Sequence, residues 1–176
     1  NVGLELYLKN GRRAAAQDIQ HIRQQLDLWT GIVTSEFSIE GEPVAVKTAS
    51  YQGSDRIAVH VVSPLIKQKR LKIFVRYPYP SGKFLDEGTN YDQVNNHKTT
   101  IVTQSANVAL INHQLQGASY FTKLDYSPGT LKNTASHYFV YEPASKLDKF
   151  DFSFAFAEKN NFDKKSHLYD EAAGES

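Results

Sequence analysis

Apolar and polar residues alternate along most of the chain, in short runs that end at turn residues. Leu4, Leu6 and Leu8 alternate with small or polar neighbours, and the run stops at Asn10-Gly11, a common turn signal. Successive side chains of a strand point to opposite faces of a sheet. This first run therefore predicts a strand that is buried on one side.

The next stretch fits two interpretations. Ile19, Ile22 and Leu26 fall at helical spacing, whereas Ile22, Leu26 and Leu28 also suit the alternation of a strand. We predict a short helical turn near residues 14–18, followed by a strand.

Further strands are predicted from the same alternation. They cover residues 32–39, 44–51, 57–61, 71–77, 99–104, 107–115, 118–126, 138–141 and 150–157. Between them, Glu40 to Pro43 predicts a tight reversal in which Gly41 takes a positive φ. Residues 67–70 predict a solvated basic turn, and residues 81–97 form the longest predicted loop, a kind of segment that is often functional.

The last predicted strand is the most apolar. Phe150, Phe152, Phe154 and Phe156 alternate with small or polar residues, so all four should share one face. Burial of each is expected to contribute about 1.5–3 kcal/mol. We therefore expect this strand to lie centrally, against a second layer.

These short strands, with turn residues between them, predict an all-β fold. The expected architecture is a large antiparallel two-sheet β-sandwich over residues 1–158, with at most short helical turns. Residues 159–176 are polar and without period. We expect them to form a linker towards a further domain.

Composition narrows the function classes. The 176 residues carry a net charge of +1, too little to attract nucleic acid, and no apolar run is long enough to span a membrane. With no cysteine, the chain has neither disulfides nor thiolate chemistry. A glycine-rich phosphate loop and a Gly-x-Ser-x-Gly elbow are also missing from the sequence.

Several motifs in order resemble a known domain. Leu26-Asp27-Leu28, then Gly31 to Thr34, a turn at Gly41 and Asp55 to Ala58 resemble the N-terminal β-sandwich of maltose-phosphorylase-type enzymes. The segments Asp55 to Val59, Ser63-Pro64-Leu65 and Arg76-Tyr77-Pro78-Tyr79-Pro80 are similar to those of secreted glycoside hydrolases of the Bacteroides type. The likeness covers about residues 20 to 157.

This resemblance implies a β-supersandwich joined through a linker to a helical barrel that carries the catalytic carboxylates. The expected function is a non-catalytic N-terminal domain of a periplasmic or extracellular glycoside hydrolase, packing on the barrel and lending residues 81–97 to its glycan cleft. Trp29 stands where phosphorylase-type members usually have Arg, so the phosphorylase reaction is not carried over. The alternatives are an independent carbohydrate-binding module, with an oligo- or polysaccharide as partner, and a purely structural or adhesion sandwich.

Aromatic residues are the candidate ligand contacts. Trp29, Tyr77, Tyr79 and Tyr91 could stack on sugar rings, and Tyr79 and Tyr91 flank the long loop. The other interpretation of Trp29 is packing in the core or at a domain interface.

Acidic residues give no catalytic assignment. Asp27 with Glu36, and Glu40 with Glu42, are close in sequence, but acids are expected on any sandwich surface. Asp27 lies between two leucines, and we expect it to accept hydrogen bonds from the backbone of the following turn.

Histidines likewise give no metal assignment. His60, His97, His113 and His137 are scattered, and no two have the close spacing of a zinc motif. The sequence therefore predicts neither a metal site nor a cofactor.

Overall fold

A computed structural model describes residues 1–51, 53–80, 84–85, 88–162 and 168–169. Twelve β-strands are found in these ranges. They are β1 Val2–Leu6, β2 Ile19–Leu26, β3 Val33–Ile39, β4 Glu42–Ser50, β5 Arg56–Val62, β6 Leu71–Arg76, β7 Lys98–Gln104, β8 Val108–Leu115, β9 Ala118–Tyr126, β10 Gly129–Ala135, β11 Tyr138–Pro143 and β12 Lys149–Ala157.

The strands form two antiparallel sheets. The smaller sheet has the order β1-β6-β11-β10, and the larger has the order β2-β3-β4-β5-β12-β9-β8-β7. The predicted all-β, two-sheet antiparallel sandwich is thereby confirmed. Within the described ranges, no helix is long and apolar enough to cross a membrane.

The ambiguous stretch near the start of the chain is resolved as predicted. Ala16–Asp18 form one 3₁₀ turn, and β2 follows directly. The backbone N–H of Ala15 donates to the Asp18 carboxylate at 2.7 Å, which holds the start of the turn. Arg12 also donates to Asp18, and these contacts lower the pKa of its carboxyl.

One strand was missed from the sequence. β10 contains a single buried apolar residue, Leu131, and lies at the edge of the smaller sheet. An edge strand with one inward side chain carries almost no alternation, so the pattern of the sequence could not indicate it.

The β3–β4 hairpin turns through two residues of positive φ. Glu40 has φ 50° and Gly41 has φ 82°, while Ile39 pairs with Glu42 across the turn. Such turns match the right-handed twist of the flanking strands. The predicted positive φ of Gly41 is confirmed, and Glu40 shares it.

After β5 the chain changes sheets instead of continuing the meander. β6 pairs with β1 and β11 in the smaller sheet. The prediction that residues 67–70 form a solvated turn is wrong for Arg70, which is buried. Its guanidinium donates to the Glu40 carboxylate and to the Tyr7 carbonyl oxygen. These contacts form where the chain passes from β5 in the larger sheet to β6 in the smaller one.

The core lies between the sheets and is rich in aromatic residues. Phe150, Phe152 and Phe154 of β12 are buried there, next to Tyr126 and Tyr141. Phe156 lies on the same face, but at the end of the strand, and is 42% exposed. The expectation of a shared, inward face is confirmed for the first three residues.

The larger sheet extends past the smaller one. At a strand spacing of about 4.8 Å, eight strands span about 34 Å and four span about 14 Å. The smaller sheet is therefore too narrow to cover the whole inner face of the larger sheet. β2, at one edge, is exposed from Gln20 to Leu26.

Part of the C-terminal segment lies on the outer face of the larger sheet. Tyr169 is buried with Ala49, Tyr51 and Ala58, and the Tyr51 hydroxyl donates to the Leu168 carbonyl oxygen at 2.7 Å. Residues 163–167 and 170–176 of the expected linker lie outside the described ranges.

Candidate functional site

A polar groove crosses the outer face of the larger sheet at its β2 edge. Arg23 of β2 lies directly opposite Glu36 of β3, and Thr34 lies opposite both Gln25 and Lys47. The groove has a volume of about 370 Å³. It is lined by Arg23, Gln25, Asp27, Thr30, Ile32, Thr34, Glu36 and Lys47.

Two predicted acids meet in this groove. Asp27 and Glu36 both line it, together with the cations of Arg23 and Lys47. Carboxylates accept hydrogen bonds, while guanidinium and ammonium groups donate them. The groove can therefore bind a neutral ligand that carries many hydroxyl groups.

Trp29 stands in the turn that joins β2 to β3. The Asp27 carboxylate accepts hydrogen bonds from the backbone N–H of Trp29 at 2.9 Å and of Thr30 at 3.4 Å, as predicted. Gly31, with φ 66°, completes the turn. The Trp29 side chain is 97% exposed, so it does not pack in the core of this domain, while packing at a domain interface stays a prediction.

The second predicted acid pair is occupied by structural contacts. Glu40 accepts a hydrogen bond from the backbone N–H of Lys9 at 2.8 Å and another from Arg70. Glu42 accepts from the Gln68 amide at 3.0 Å. These contacts give both acids a role in joining the β3–β4 hairpin to the neighbouring loops.

The aromatic residues near the long loop lie in different environments. Tyr77 is buried, and its hydroxyl contacts Thr122, so it is not available for sugar stacking. Tyr91 lies under the guanidinium of Arg76, which is 3.4 Å from the ring centroid. Tyr79 is half-buried against His97, at a centroid distance of 5.6 Å. Residues 81–83 and 86–87 of the loop lie outside the described ranges.

Three histidines converge beside Tyr79. His97 precedes β7, His113 belongs to β8, and His137 precedes β11 of the other sheet. Each offers one ring nitrogen that lies within 4.8 Å of the other two. We call His97, His113 and His137 the histidine cluster. The prediction that these histidines are scattered is therefore wrong in space, although it holds along the sequence.

Hydrogen bonds fix the proton positions in the histidine cluster. His137 Nε2 lies 2.9 Å from the Val94 carbonyl oxygen, which can only accept, so this nitrogen carries the proton of the neutral ring. Its Nδ1 then accepts from the Thr99 hydroxyl at 2.7 Å. The Thr99 oxygen in turn accepts from His113 Nδ1–H at 2.8 Å. The lone pair of neutral His113 consequently lies on Nε2, which faces His97 Nδ1 at 3.5 Å.

Burial and mutual repulsion keep the buried rings neutral. Burial, followed by the charges of His97 and His137, lowers the pKa of His113 to about 4. The pKa of His97 is lowered by burial and then by the charge of His137. At neutral pH both rings therefore retain one unprotonated nitrogen.

Strand pairing explains why the histidine cluster was missed. Thr99 of β7 lies directly opposite His113 of β8, and the backbone N–H of Tyr77 donates to the His137 carbonyl oxygen at 3.0 Å. Neither neighbour relation can be read from spacing along the chain. A histidine two residues before a strand threonine is too common a pattern to indicate a site.

Comparisons with known proteins give no further assignment. No protein-family model and no curated protein sequence matches this chain.

Proposed function

We propose that this chain is the non-catalytic β-sandwich domain of a carbohydrate-active enzyme, and that it packs on and supports a catalytic helical barrel. The observation that carries the proposal is a row of large apolar side chains at the β2 edge. Ile22, Leu26, Leu28 and Trp29 are 71%, 52%, 86% and 97% exposed. We call these four residues the apolar edge.

The position of the apolar edge supports a domain contact. Leu26 pairs with Val33, and both point towards the side of the larger sheet that holds the core. The smaller sheet is too narrow to cover that side at β2. Large exposed apolar side chains at one edge of a sheet are typical of an interaction site. A second domain placed there would extend the sandwich interior by covering Leu26 and Leu28.

The engaged acids support a role without catalysis. Glycoside cleavage needs two carboxyl groups free to act on opposite sides of the bond. Asp27 accepts two turn N–H groups, and Glu40 accepts from Lys9 and Arg70. The carbohydrate assignment itself depends on the ordered motifs between residues 20 and 157.

The test expresses, as a separate polypeptide, the helical-barrel region that the proposal expects in the same gene. We expect a one-to-one complex with the 176-residue chain, measured by size-exclusion chromatography with light scattering. The double variant L28D/W29D should lose the complex because two charges would enter the apolar contact. Val102→Asp is the matched control, since Val102 is 46% exposed on β7, at the opposite edge of the same sheet.

Two results would contradict the proposal. One is glycosidase activity of the 176-residue chain alone. The other is a gene in which no helical-barrel region accompanies this domain.

The polar groove favours a second candidate function, an independent carbohydrate-binding module. Charged and amide groups line the groove, and the exposed Trp29 ring stands in the adjoining turn. An aromatic face beside hydrogen-bonding groups is suited to a sugar ring. Polysaccharide affinity electrophoresis of the chain alone, with Trp29→Ala and Glu36→Gln, tests this alternative. Retardation that disappears in both variants would support it, whereas loss only in Tyr79→Ala and Tyr91→Ala would move the contact to the long loop.

A further inference from the structure

The histidine cluster joins the two sheets at one end of the sandwich. His113 belongs to the larger sheet, His137 directly precedes β11 of the smaller sheet, and His97 ends the segment that leads into β7. Much of the remaining contact between the described parts of the two sheets is apolar. A group of three imidazoles here needs a separate explanation, because it places three polar rings where packing would favour hydrocarbon.

The spacing of two of the nitrogens fits a tetrahedral ion. Two nitrogen ligands of zinc, each about 2.0–2.1 Å from the metal, lie about 3.3–3.4 Å apart when the geometry is tetrahedral. His97 Nδ1 and His113 Nε2 are 3.5 Å apart. Because the Thr99 oxygen accepts a hydrogen bond from His113 Nδ1–H, the lone pair of Nε2 faces the space between the two rings.

The third nitrogen is close but requires a ring rotation. His137 Nδ1 is unprotonated in the neutral ring, because Nε2 donates to Val94. It accepts a hydrogen bond from the Thr99 hydroxyl at 2.7 Å, which has to break before Nδ1 can bind an ion. The ring is stacked on His97 at a centroid distance of 3.6 Å, so it has to turn for Nδ1 to face an ion. His137 is half-buried, while His97 and His113 are 9% and 1% exposed, so an ion would approach from the side of His137.

We propose that His97, His113 and His137 bind a divalent cation of the zinc type, which cross-links the two sheets. Three neutral imidazoles are ligands that suit zinc, while the harder magnesium and calcium ions prefer oxygen. Three protein ligands leave a fourth position for water. The site holds the segment around Val94 and His97 against the end of the sandwich, beside the half-buried Tyr79.

Thr99 has the role of a positioning residue in this site. A metal-bound histidine usually donates its other ring N–H to a neighbouring acceptor, which fixes the ring and its tautomer. The Thr99 oxygen provides that acceptor for His113. Thr99→Val removes the hydroxyl at nearly constant shape, so it should weaken zinc binding by about 10- to 100-fold without removing a ligand.

The primary experiment titrates the metal-free 176-residue chain with Zn²⁺ by calorimetry and with Co²⁺ by absorption. We expect one Zn²⁺ per chain and the intense d–d bands of tetrahedral Co²⁺. Because a ligand that binds only the folded state stabilises it, Zn²⁺ at 100 times its dissociation constant should raise the melting temperature by about 5–10 °C. No saturable binding, or only the weak bands of octahedral Co²⁺, would overturn the proposal.

Variants locate the ion. His97→Gln and His137→Gln should each lose at least tenfold in affinity, while His60→Gln serves as the control. His60 lies far along the sheet order in β5, where its Nδ1 contacts Asp151 at 2.7 Å. Binding that is unchanged in both cluster variants, or that is lost in His60→Gln, would assign the ion elsewhere and overturn the site. The Co²⁺ spectrum of the unsubstituted chain decides the case if a variant does not fold.

Discussion

Arg56 and Asp125 form a buried ion pair on the outer face of the larger sheet, with the guanidinium 2.9 Å from Asp125 Oδ2. Their side chains are 7% and 0% exposed. Ser153 donates to the same carboxylate oxygen at 3.4 Å, and the Lys123 ammonium lies 3.4 Å from Oδ1. The pair joins β5 to β9 across β12, which separates them in the sheet.

Removing one partner should therefore be costly. Asp125→Ala leaves the Arg56 charge buried without its carboxylate, and we expect a loss of about 3–5 kcal/mol in the free energy of unfolding, measured in urea. Lys67→Ala is the control, because the Lys67–Asp148 pair is 55% and 67% exposed and should contribute about 0–1 kcal/mol. Equal effects of the two substitutions would show that burial does not determine the strength of the Arg56–Asp125 pair.

Phe152 and Phe156 lie on the same face of β12 but differ in burial. Phe152 is 1% exposed and contacts Tyr141, whereas Phe156 is 42% exposed at the end of β12. Phe152→Ala should cost about 3–5 kcal/mol, since it leaves a cavity between the sheets. Phe156→Ala should cost less than half as much in the same urea experiment. A reversed order would mean that the end of β12, and not its centre, lies in the core.

Local alternation explains why most strands could be predicted. Leu71, Ile73 and Val75 of β6 are buried, whereas the residues between them are half-buried. The alternation in the sequence indicates this pattern. Sheet membership is a different matter. β6 follows β5 along the chain but pairs with β1 and β11, and this choice depends on contacts between distant segments.

The candidate site also has a part that could be predicted from the sequence and a part that could not. Asp27 and Trp29 lie within one turn, so the hydrogen bond from the Trp29 backbone could be predicted from three consecutive residues. The histidine cluster could not be predicted, because His113 and His137 come together only when β7, β8 and β11 have taken their places. The burial of Arg70 also depends on a contact between distant segments, because its partner Glu40 lies in the β3–β4 hairpin.

Gly129, at the start of β10, has no room for a side chain. A Cβ there would lie 2.5 Å from the Glu142 carbonyl oxygen and 2.6 Å from a ring carbon of Tyr141. The carbonyl belongs to the paired strand β11 and cannot move aside alone. Gly129→Ala should cost about 1–3 kcal/mol by overpacking. Thr130→Ala, at the next, exposed position of β10, should change stability by less than about 0.5 kcal/mol.

Trp29 is the only tryptophan of the chain, so its fluorescence reports directly on the apolar edge. At 97% exposure, its emission should lie at the red limit of folded proteins and should be quenched by iodide as efficiently as a free indole. Trp29→Ala should alter the unfolding free energy by less than about 0.5 kcal/mol. Strong protection from iodide in the isolated, monomeric chain would contradict the exposed position.

Tyr138 gives a test at alkaline pH. Its hydroxyl donates to Glu5, which is 5% exposed and also accepts from the Tyr7 hydroxyl at 2.8 Å. Burial, followed by the hydrogen bond and the charge of Glu5, raises the pKa of Tyr138 to about 12. A tyrosine in the unfolded chain titrates near 10. Between about pH 10 and 12, the Tyr138 hydroxyl therefore holds its proton more tightly in the folded chain than in the unfolded chain.

The sign of the pH effect follows from this difference. The raised pKa of Tyr138 contributes stability that is fully present below about pH 10 and is lost as the pH rises towards about 12. Tyr138→Phe should be less stable than the unsubstituted chain at pH 8, but its stability should fall less steeply with pH above 10. Urea unfolding at pH 8, 10 and 11 measures both slopes. Parallel slopes for the two proteins would show that Tyr138 titrates alike in the folded and unfolded states, and the contact with Glu5 would then not be present in solution.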